Sequence, residues 1–279
     1  MAKANPSAHP VQLLRESVFS LEASALLCLA RPGKIAVHRL RTSTRRVEAQ
    51  LELLSLLPDL PPHQPQARKA SRLLKQLRHA AGRLRDIDVQ RDLVRNEVAA
   101  RNEMPQPARE LLREARHLRR ALKCKGEKAS DRLLRLLHKQ RAQLPLVFKE
   151  LLNALTPVDS IALSETELIA LARDCFRNRR ALHLPDAASQ KTAELHEIRK
   201  RAKLARYLAE SVPPSFLQSR RIAARFAALQ QAGGEWHDWL LLAEFAAREL
   251  GPSAELSRSF AEHASRSLHS FQRRLRYKI

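Results

Sequence analysis

The chain has 279 residues, of which 44% are hydrophobic, and its 51 Lys and Arg exceed its 29 Asp and Glu to give a formal net charge of +22. Such an excess repels itself and favours an anionic partner, such as a nucleic acid, a membrane surface or a phosphate polymer. Three distant cysteines exclude a disulfide framework and a metal-ligand pair. We expect a cytoplasmic protein without a signal peptide or a membrane-spanning segment.

Helix breakers divide the chain into segments whose apolar residues recur at three- and four-residue spacing. This pattern predicts helices over residues 10–31, 33–57, 66–101, 106–155 (with a break near Gly126), 164–183, 189–211, 215–250 and 252–276. Ser164 to Glu167 has the form of a capping box at the start of the fifth helix. No alternating stretch predicts a strand. The fold class is therefore all-α, with two four-helix bundles in tandem.

The two halves of the chain carry the same two motifs in the same order. His38 and Arg41 of the first half recur as His196 and Arg199 of the second. A Gly-x-x-(Arg or His)-Asp motif at residues 82–86 recurs at 234–238. An ordered pair of motifs indicates an internal duplication. We therefore place the N-terminal half at residues 8–157 and the C-terminal half at 158–279.

Two predicted helices have strongly basic faces. On a helix, three bases of the second segment fall within about 60° of one another, and five residues of the sixth fall within about 100°. They are His38, Arg41 and Arg45, and His196, Arg199, Lys203, Arg206 and Tyr207. An ordinary solvated face interleaves acids with bases, whereas these faces have only Glu48 and Glu210 near their edges. Because crowding of like charges is unfavourable, the faces are predicted to bind an anion.

Other helices supply further bases at helical spacing. The candidates are Lys75, Arg78 and Arg85, beside Gly82; Arg173, Arg177 and Arg180; and Arg266, His269 and Arg273. A solvated row is an equal alternative for each group and for Arg109, Arg113, Arg116 and Arg120. Gly82 would let a ligand or a neighbouring helix approach closely. Asp86 and Asp238 are expected to orient a nearby Arg or His, or to be surface acids.

The sequence carries no clear signature of an enzyme. It has no Gly-rich phosphate loop, no Cys or His cluster at metal spacing and no nucleophile elbow. Asp86 and Asp88 lie among too many bases to indicate a two-metal site. We expect a non-catalytic protein that needs no metal and no cofactor. Its histidines would strengthen anion binding at mildly acid pH, where they gain charge.

Four motifs together resemble the CHAD domain, a family named for its conserved histidines and α-helices. They are His38-x-x-Arg41-x-x-x-Arg45-Arg46, Arg85-Asp86-x-Asp88-Val89, His196-x-x-Arg199-x-x-x-Lys203-x-x-Arg206-Tyr207, and Leu229-Gln230 to His237-Asp238. The likeness covers about residues 8–276. It implies two four-helix bundles related by a pseudo-twofold axis, with a basic groove or pore between them that holds inorganic polyphosphate. It also implies association with polyphosphate granules and no catalytic activity.

The residue patterns and the resemblance together give the predicted polyphosphate-binding residues: His38, Arg41, Arg45, Arg46, Lys75, Arg78, Arg85, Arg173, Arg177, Arg180, His196, Arg199, Lys203, Arg206, Tyr207, His237, Arg266 and Arg273. The chain departs from the family pattern at Glu48 and Leu204, where a base is usual, and at Gly233, where an apolar residue is usual.

Three other functions compete with polyphosphate binding. A nucleic-acid-binding protein is the first alternative, although aromatic residues make up only 4% of the chain and are needed to stack on bases. Non-specific nucleic-acid binding is expected as a side activity. An enzyme acting on phosphate polymers would need a metal site that the sequence does not show. Membrane binding is not expected, because the basic faces lack flanking bulky apolar anchors.

Overall fold

The computed structural model describes residues 7–102, 109–178, 187–210 and 215–276. Within those residues the chain forms nine α-helices, a short 3-10 turn at Thr156–Val158, and no β-strand beyond one isolated bridge between Ala8 and Leu163. The all-α prediction is confirmed. The helices are α1 (Pro10–Ala30), α2 (Lys34–Ser55), α3 (Gln64–Asn102), α4 (Arg109–Gln140), α5 (Gln143–Leu155), α6 (Glu165–Asn178), α7 (Ala187–Glu210), α8 (Leu217–Leu250) and α9 (Glu255–Leu275).

The fourth predicted helix is two helices, and the predicted break near Gly126 is wrong. Helix α4 continues through Gly126, where a side chain would touch Ile87 only at an ordinary 3.5 Å, and the chain turns instead at Arg141 and Ala142. Pro145 gives the reason. Proline lacks the N–H that a helix interior requires but is tolerated in the first turn, so α5 begins at Gln143.

Local sequence signals define several other helix ends. The predicted capping box is confirmed: the Ser164 backbone N–H donates to Glu167 Oε2 at 2.8 Å, and the Glu167 N–H donates to Ser164 Oγ at 3.3 Å. At the end of α8, Gly251 has a φ of +92°, a left-handed conformation that favours glycine. Its N–H donates to the carbonyl of Ala247 at 3.1 Å.

The helices group into two compact units that are not consecutive in sequence. The first unit comprises residues 1–81 and 134–230 together with Ile279, and the second comprises 82–133 and 231–278. Helices α3, α4 and α8 each contribute a segment to both units, because the divisions fall inside them. The boundary predicted at residue 157, and the two bundles it would separate, remain predictions.

In the first unit, α1 packs against α2 and α5, α6 packs against α7, and α2 packs against α7. The side chains that fill these contacts are the apolar stripes expected from the spacing. Leu14 and Leu21 of α1, Leu40 of α2 and Leu208 of α7 are fully buried. Burying each of these side chains contributes about 1.5–3 kcal/mol of hydrophobic free energy. This packing places α2 and α7, the helices that carry the two predicted basic faces, beside each other.

The second unit is built from four helical segments, which come from α3, α4, α8 and α9. All four supply residues to one apolar core, which includes Val94, Leu118, Leu242 and Phe260, each with no exposed surface. Two segments belong to the first predicted half of the chain and two to the second. The halves are therefore intermixed in this unit.

No helix within the described residues is both long enough and apolar enough to cross a membrane.

Candidate anion-binding site

An arginine cluster lies where α2 meets the first part of α3. Arg78 Nε on α3 donates to Glu48 Oε1 at 2.7 Å, and Arg45 Nη1 on α2 donates to Glu48 Oε2 at 3.3 Å. The side chains of Arg45, Glu48 and Arg78 are about three-quarters buried. Arg41 lies one helical turn before Arg45 and also acts on its charge. We call Arg41, Arg45 and Arg78 the arginine cluster.

Burial and mutual repulsion make the positive charges of the arginine cluster unfavourable. Burial, together with the charges of Arg78 and Arg41, lowers the pKa of Arg45 to about 10, although Glu48 acts in the opposite direction. Arginine side chains keep their positive charge in proteins. With Glu48, the three side chains carry a net positive charge in a partly desolvated position. Such a group is stabilised by an added anion.

Helix α7, which carries the second copy of the basic motif, packs against α2 near the arginine cluster. The side chain of Tyr207 is 8% exposed, and burial raises the pKa of its phenol while the charges of Arg41 and Arg45 act against that rise. Tyr207 therefore lies within electrostatic reach of α2. Next to it, Arg206 Nε donates to Glu210 Oε1 at 2.6 Å, and Arg206 Nη1 donates to Gln230 Oε1 at 3.5 Å.

In the second unit, Arg85 is clamped by two carboxylates. Its Nη1 and Nη2 donate to the two oxygens of Asp238 at 2.6 and 2.9 Å, and Nη1 also donates to Asp86 Oδ1 at 3.2 Å. Burial would lower the pKa of Arg85, but the hydrogen bond and charge of Asp238 outweigh it and the pKa rises. The orienting role predicted for Asp86 and Asp238 is confirmed for Arg85, with Asp238 reaching it from the other half of the chain.

Both repeated glycines face open space. No described atom lies within 4 Å of a Cβ built at Gly82 or at Gly234. The alternative that Gly82 lets a neighbouring helix pack closely is therefore wrong. Each glycine precedes by one helical turn the basic residue of its motif, Arg85 or His237.

His196 is half-buried on α7 and is not a cation near neutral pH. Burial, together with the charges of Arg199 and Lys200, lowers its pKa to about 4, although Glu197 acts in the opposite direction. The expectation that the histidines gain charge at mildly acid pH is thus wrong for His196 in the unliganded protein, because desolvation and neighbouring cations both disfavour the imidazolium. The neutral ring still offers one hydrogen-bond donor.

The other predicted residues are distributed over both units. His38 and Arg46 are exposed on α2, and Lys75 is exposed on α3 one turn before Arg78. Arg199 and Lys203 are half-buried on α7, and His237 is half-buried on α8. Arg173 and Arg177 lie on α6, and Arg266 and Arg273 are exposed on α9. Arg180 lies outside the described residues.

Two charged residues have contacts or burial in the structure that the sequence did not predict. Glu48 stood out as an exception on a basic face, but its bridge between two helices was not predicted. Arg201 on α7 is 5% exposed, although the sequence pattern gave it no role. A helical wheel places Arg201 at the edge of the apolar stripe of α7 and away from His196. That position is the feature of the sequence that could have predicted its burial.

The described residues hold no group of three or more His, Cys, Asp or Glu side chains suited to a metal ion.

Comparisons with known proteins identify the family of the chain. The family model of the CHAD domain matches residues 20–247, most of the chain. The chain belongs to the CHAD domain family. Its fold is similar to that of PptA from Streptomyces chartreusis, with a TM-score of 0.69, 18% identity, and coverage of 98% of this chain and 100% of PptA. No curated protein sequence matches the chain.

A second solved structure, the CHAD domain from the plant Ricinus communis, is similar at a TM-score of 0.57 with 17% identity. The similarity covers 97% of this chain and 89% of the plant domain. At these identities, the two structures support the CHAD fold and no more.

Protonation of His196 should make this CHAD protein less stable in acid. The pKa of His196 is about 4 in the folded state and about 6.5 in an unfolded chain. The unfolded state therefore binds more protons between these values, and stability falls as pH decreases from about 6.5 to about 4. His196→Gln should flatten the dependence of the urea midpoint on pH over this range. Equal slopes for the variant and the parent would contradict the assignment.

Proposed function

We propose that this CHAD protein binds inorganic polyphosphate without catalysing a reaction, and that the arginine cluster of the first unit is the centre of the binding surface. The observation that carries the proposal is the sharing of one carboxylate by two arginine side chains from two helices. Arg41 adds a third positive charge beside them. The cluster thus has more positive charge than Glu48 neutralises.

The geometry of the Glu48 bridge favours a phosphate ligand. A carboxylate held by two guanidinium groups resembles one phosphate unit, which also presents several acceptor oxygens to donors in a planar fork. Arg206 extends the positive charge along α7, beside the buried Tyr207. A flexible polyanion would contact successive donors, and its bound counterions would be released as it does so. Affinity should therefore fall steeply as salt increases.

The finer arrangement is part of the proposal. We infer two four-helix bundles related by a pseudo-twofold axis, with a basic groove that continues the polyphosphate surface. Two observations support this arrangement. Arg85 of the first repeat bonds Asp238 of the second, and the repeated Gly82 and Gly234 both face open space. Association with polyphosphate granules in the cytoplasm would follow from this binding.

Nucleic acid is the competing ligand, because the net charge of +22 attracts any polyanion. The two tryptophan side chains argue against nucleic acid as the preferred partner. Trp236 is 3% exposed and stacks on Phe271, and Trp239 stacks on His263. Both indoles are occupied inside the second unit, so they offer no platform for bases.

The proposal is tested by two triple variants that remove the same charge. Arg41→Gln, Arg45→Gln and Arg78→Gln remove the arginine cluster, whereas Arg109→Gln, Arg113→Gln and Arg120→Gln remove three exposed arginines of α4. Losing three charge-assisted hydrogen bonds should weaken polyphosphate binding by about a hundredfold or more. The α4 variant should lose roughly two- to threefold, through long-range charge alone.

Fluorescence anisotropy with labelled polyphosphate would measure both affinities, and circular dichroism would confirm that both variants fold. Equal losses would contradict a defined site, since net charge would then account for the binding.

Glu48 should compete with phosphate for the arginines that it holds. Glu48→Gln keeps the shape of the side chain and removes its charge, so polyphosphate should bind about three- to tenfold more tightly. The slope of log affinity against log salt should also steepen by about one, because one more base is available to phosphate. Glu110→Gln, exposed in the first turn of α4, is the control for the charge change. Weaker binding by Glu48→Gln would instead show that the carboxylate positions the arginines for the ligand.

A further inference from the structure

The hairpin of α1 and α2 exposes an unusual number of large apolar side chains. Seven such side chains are exposed in the described part of the chain, and four of them lie between residues 19 and 35. Phe19 is 75% exposed, Leu26 54%, Leu27 40% and Ile35 72%. Single exposed hydrophobic residues are ordinary, but a cluster marks an interaction surface.

The end of the hairpin nearest its turn is basic, whereas Glu16 and Glu22 lie on either side of Phe19 in α1. Between residues 23 and 47 the sequence has six Lys and Arg and no Asp or Glu. Arg31, Lys34, Arg39 and Arg46 are exposed, as is His38. The surface therefore combines bulky apolar groups with positive charge. We call Phe19, Leu27, Ile35, Arg39 and Arg46 the hairpin surface.

The two kinds of side chain form facing rows. Helices α1 and α2 run antiparallel through a three-residue connection, and an open groove between them is lined by Phe19 and Leu27 on one side and by His38, Arg39 and Arg46 on the other. Its base is made of small hydroxyl residues: Ser24 Oγ and Ser43 Oγ are 3.0 Å apart. Ile35 continues the row of Arg39 at helical spacing.

The hairpin surface as a whole matches both parts of a phospholipid. Arg39 and Arg46 offer forked donors to a phosphate, and Phe19, Leu27 and Ile35 offer apolar surface to acyl chains. A phosphate polymer would use only the basic row and would leave the apolar side chains in water. A nucleic acid could stack a base on Phe19, but it would leave the aliphatic Leu27 and Ile35 in water. The apolar row is therefore the observation that separates a lipid from the other polyanions.

We propose that the hairpin surface docks this protein on membranes that contain anionic lipids, with Phe19, Leu27 and Ile35 inserted at the headgroup boundary. Membrane binding was not expected from the sequence, because bulky anchors beside the basic faces were not recognised. The structure places such anchors beside α2, since Phe19 and Leu27 come from the neighbouring helix. The proposal does not depend on polyphosphate binding, which is assigned to the arginine cluster.

The test uses the full chain and two pairs of apolar variants. Phe19→Ser with Ile35→Ser removes two anchors of the hairpin surface. Leu146→Ser with Leu217→Ser removes two side chains of similar exposure, 61% and 62%, on α5 and α8. Co-sedimentation would be measured with vesicles of phosphatidylcholine alone and with phosphatidylglycerol added, at a salt concentration of about 0.15 M. No charge changes in either pair.

We expect sedimentation only with the anionic vesicles, and a loss of about tenfold or more in partitioning for the Phe19 and Ile35 pair. The Leu146 and Leu217 pair should sediment like the parent chain. Equal behaviour of the two pairs would overturn the proposal, since charge alone would hold the protein to the vesicle. No sedimentation of the parent chain would overturn it too. A different outcome is a parent chain that fails to bind vesicles but elutes from a size-exclusion column at a smaller volume than the variant with Phe19→Ser and Ile35→Ser. That result would assign the hairpin surface to contact with a second copy of the chain.

Polyphosphate binding measured on the same variants separates the two proposals. The hairpin pair should bind polyphosphate as tightly as the parent chain, because all its arginines remain. Loss of vesicle binding with unchanged polyphosphate binding supports the membrane proposal. A parallel loss of both, in a folded variant, would overturn the separation of the hairpin surface from the arginine cluster.

Discussion

The constraint on which the structure depends is the crowding of like charges on packed helices. Burial disfavours the charged form of Arg45, and Arg41 and Arg78 add to the cost. Glu48 relieves part of it by bridging two of these side chains. The cluster is therefore stable enough to fold while still carrying an excess of positive charge. An external polyanion can relieve this excess, and that relief is the physical basis of the proposed binding.

The helical architecture determines which acidic side chains hold the arginines and neutralise part of their charge. Asp238 reaches Arg85 from the other half of the chain, and Glu210 holds Arg206 within α7. Each acid fixes the direction of a guanidinium group and lowers its freedom before any ligand arrives. In the second unit this is possible because segments of both halves share one apolar core. The intermixing of the halves thus serves the orientation of charges as well as stability.

Much of the fold was predictable, because helix spacing, proline and capping signals are local. The capping box at Ser164 and the basic face of α2 followed from neighbouring residues. The sequence pattern places the interruption at Gly126, whereas the chain breaks before α5, where Pro145 lies in the first helical turn. The bridge made by Glu48, and the apolar row beside α2 contributed by Phe19, could not be predicted. Both arise from residues far apart in sequence that meet only on folding.

The most direct test of the central claim is competition between labelled polyphosphate and double-stranded DNA across a salt series. A set of oriented arginines should hold a thin, flexible polyanion better than a stiff duplex of the same charge. Polyphosphate should therefore remain bound near a salt concentration of about 0.15 M when DNA is present at the same phosphate concentration. Equal displacement by DNA at every salt concentration would contradict the claim and identify a general cationic binder.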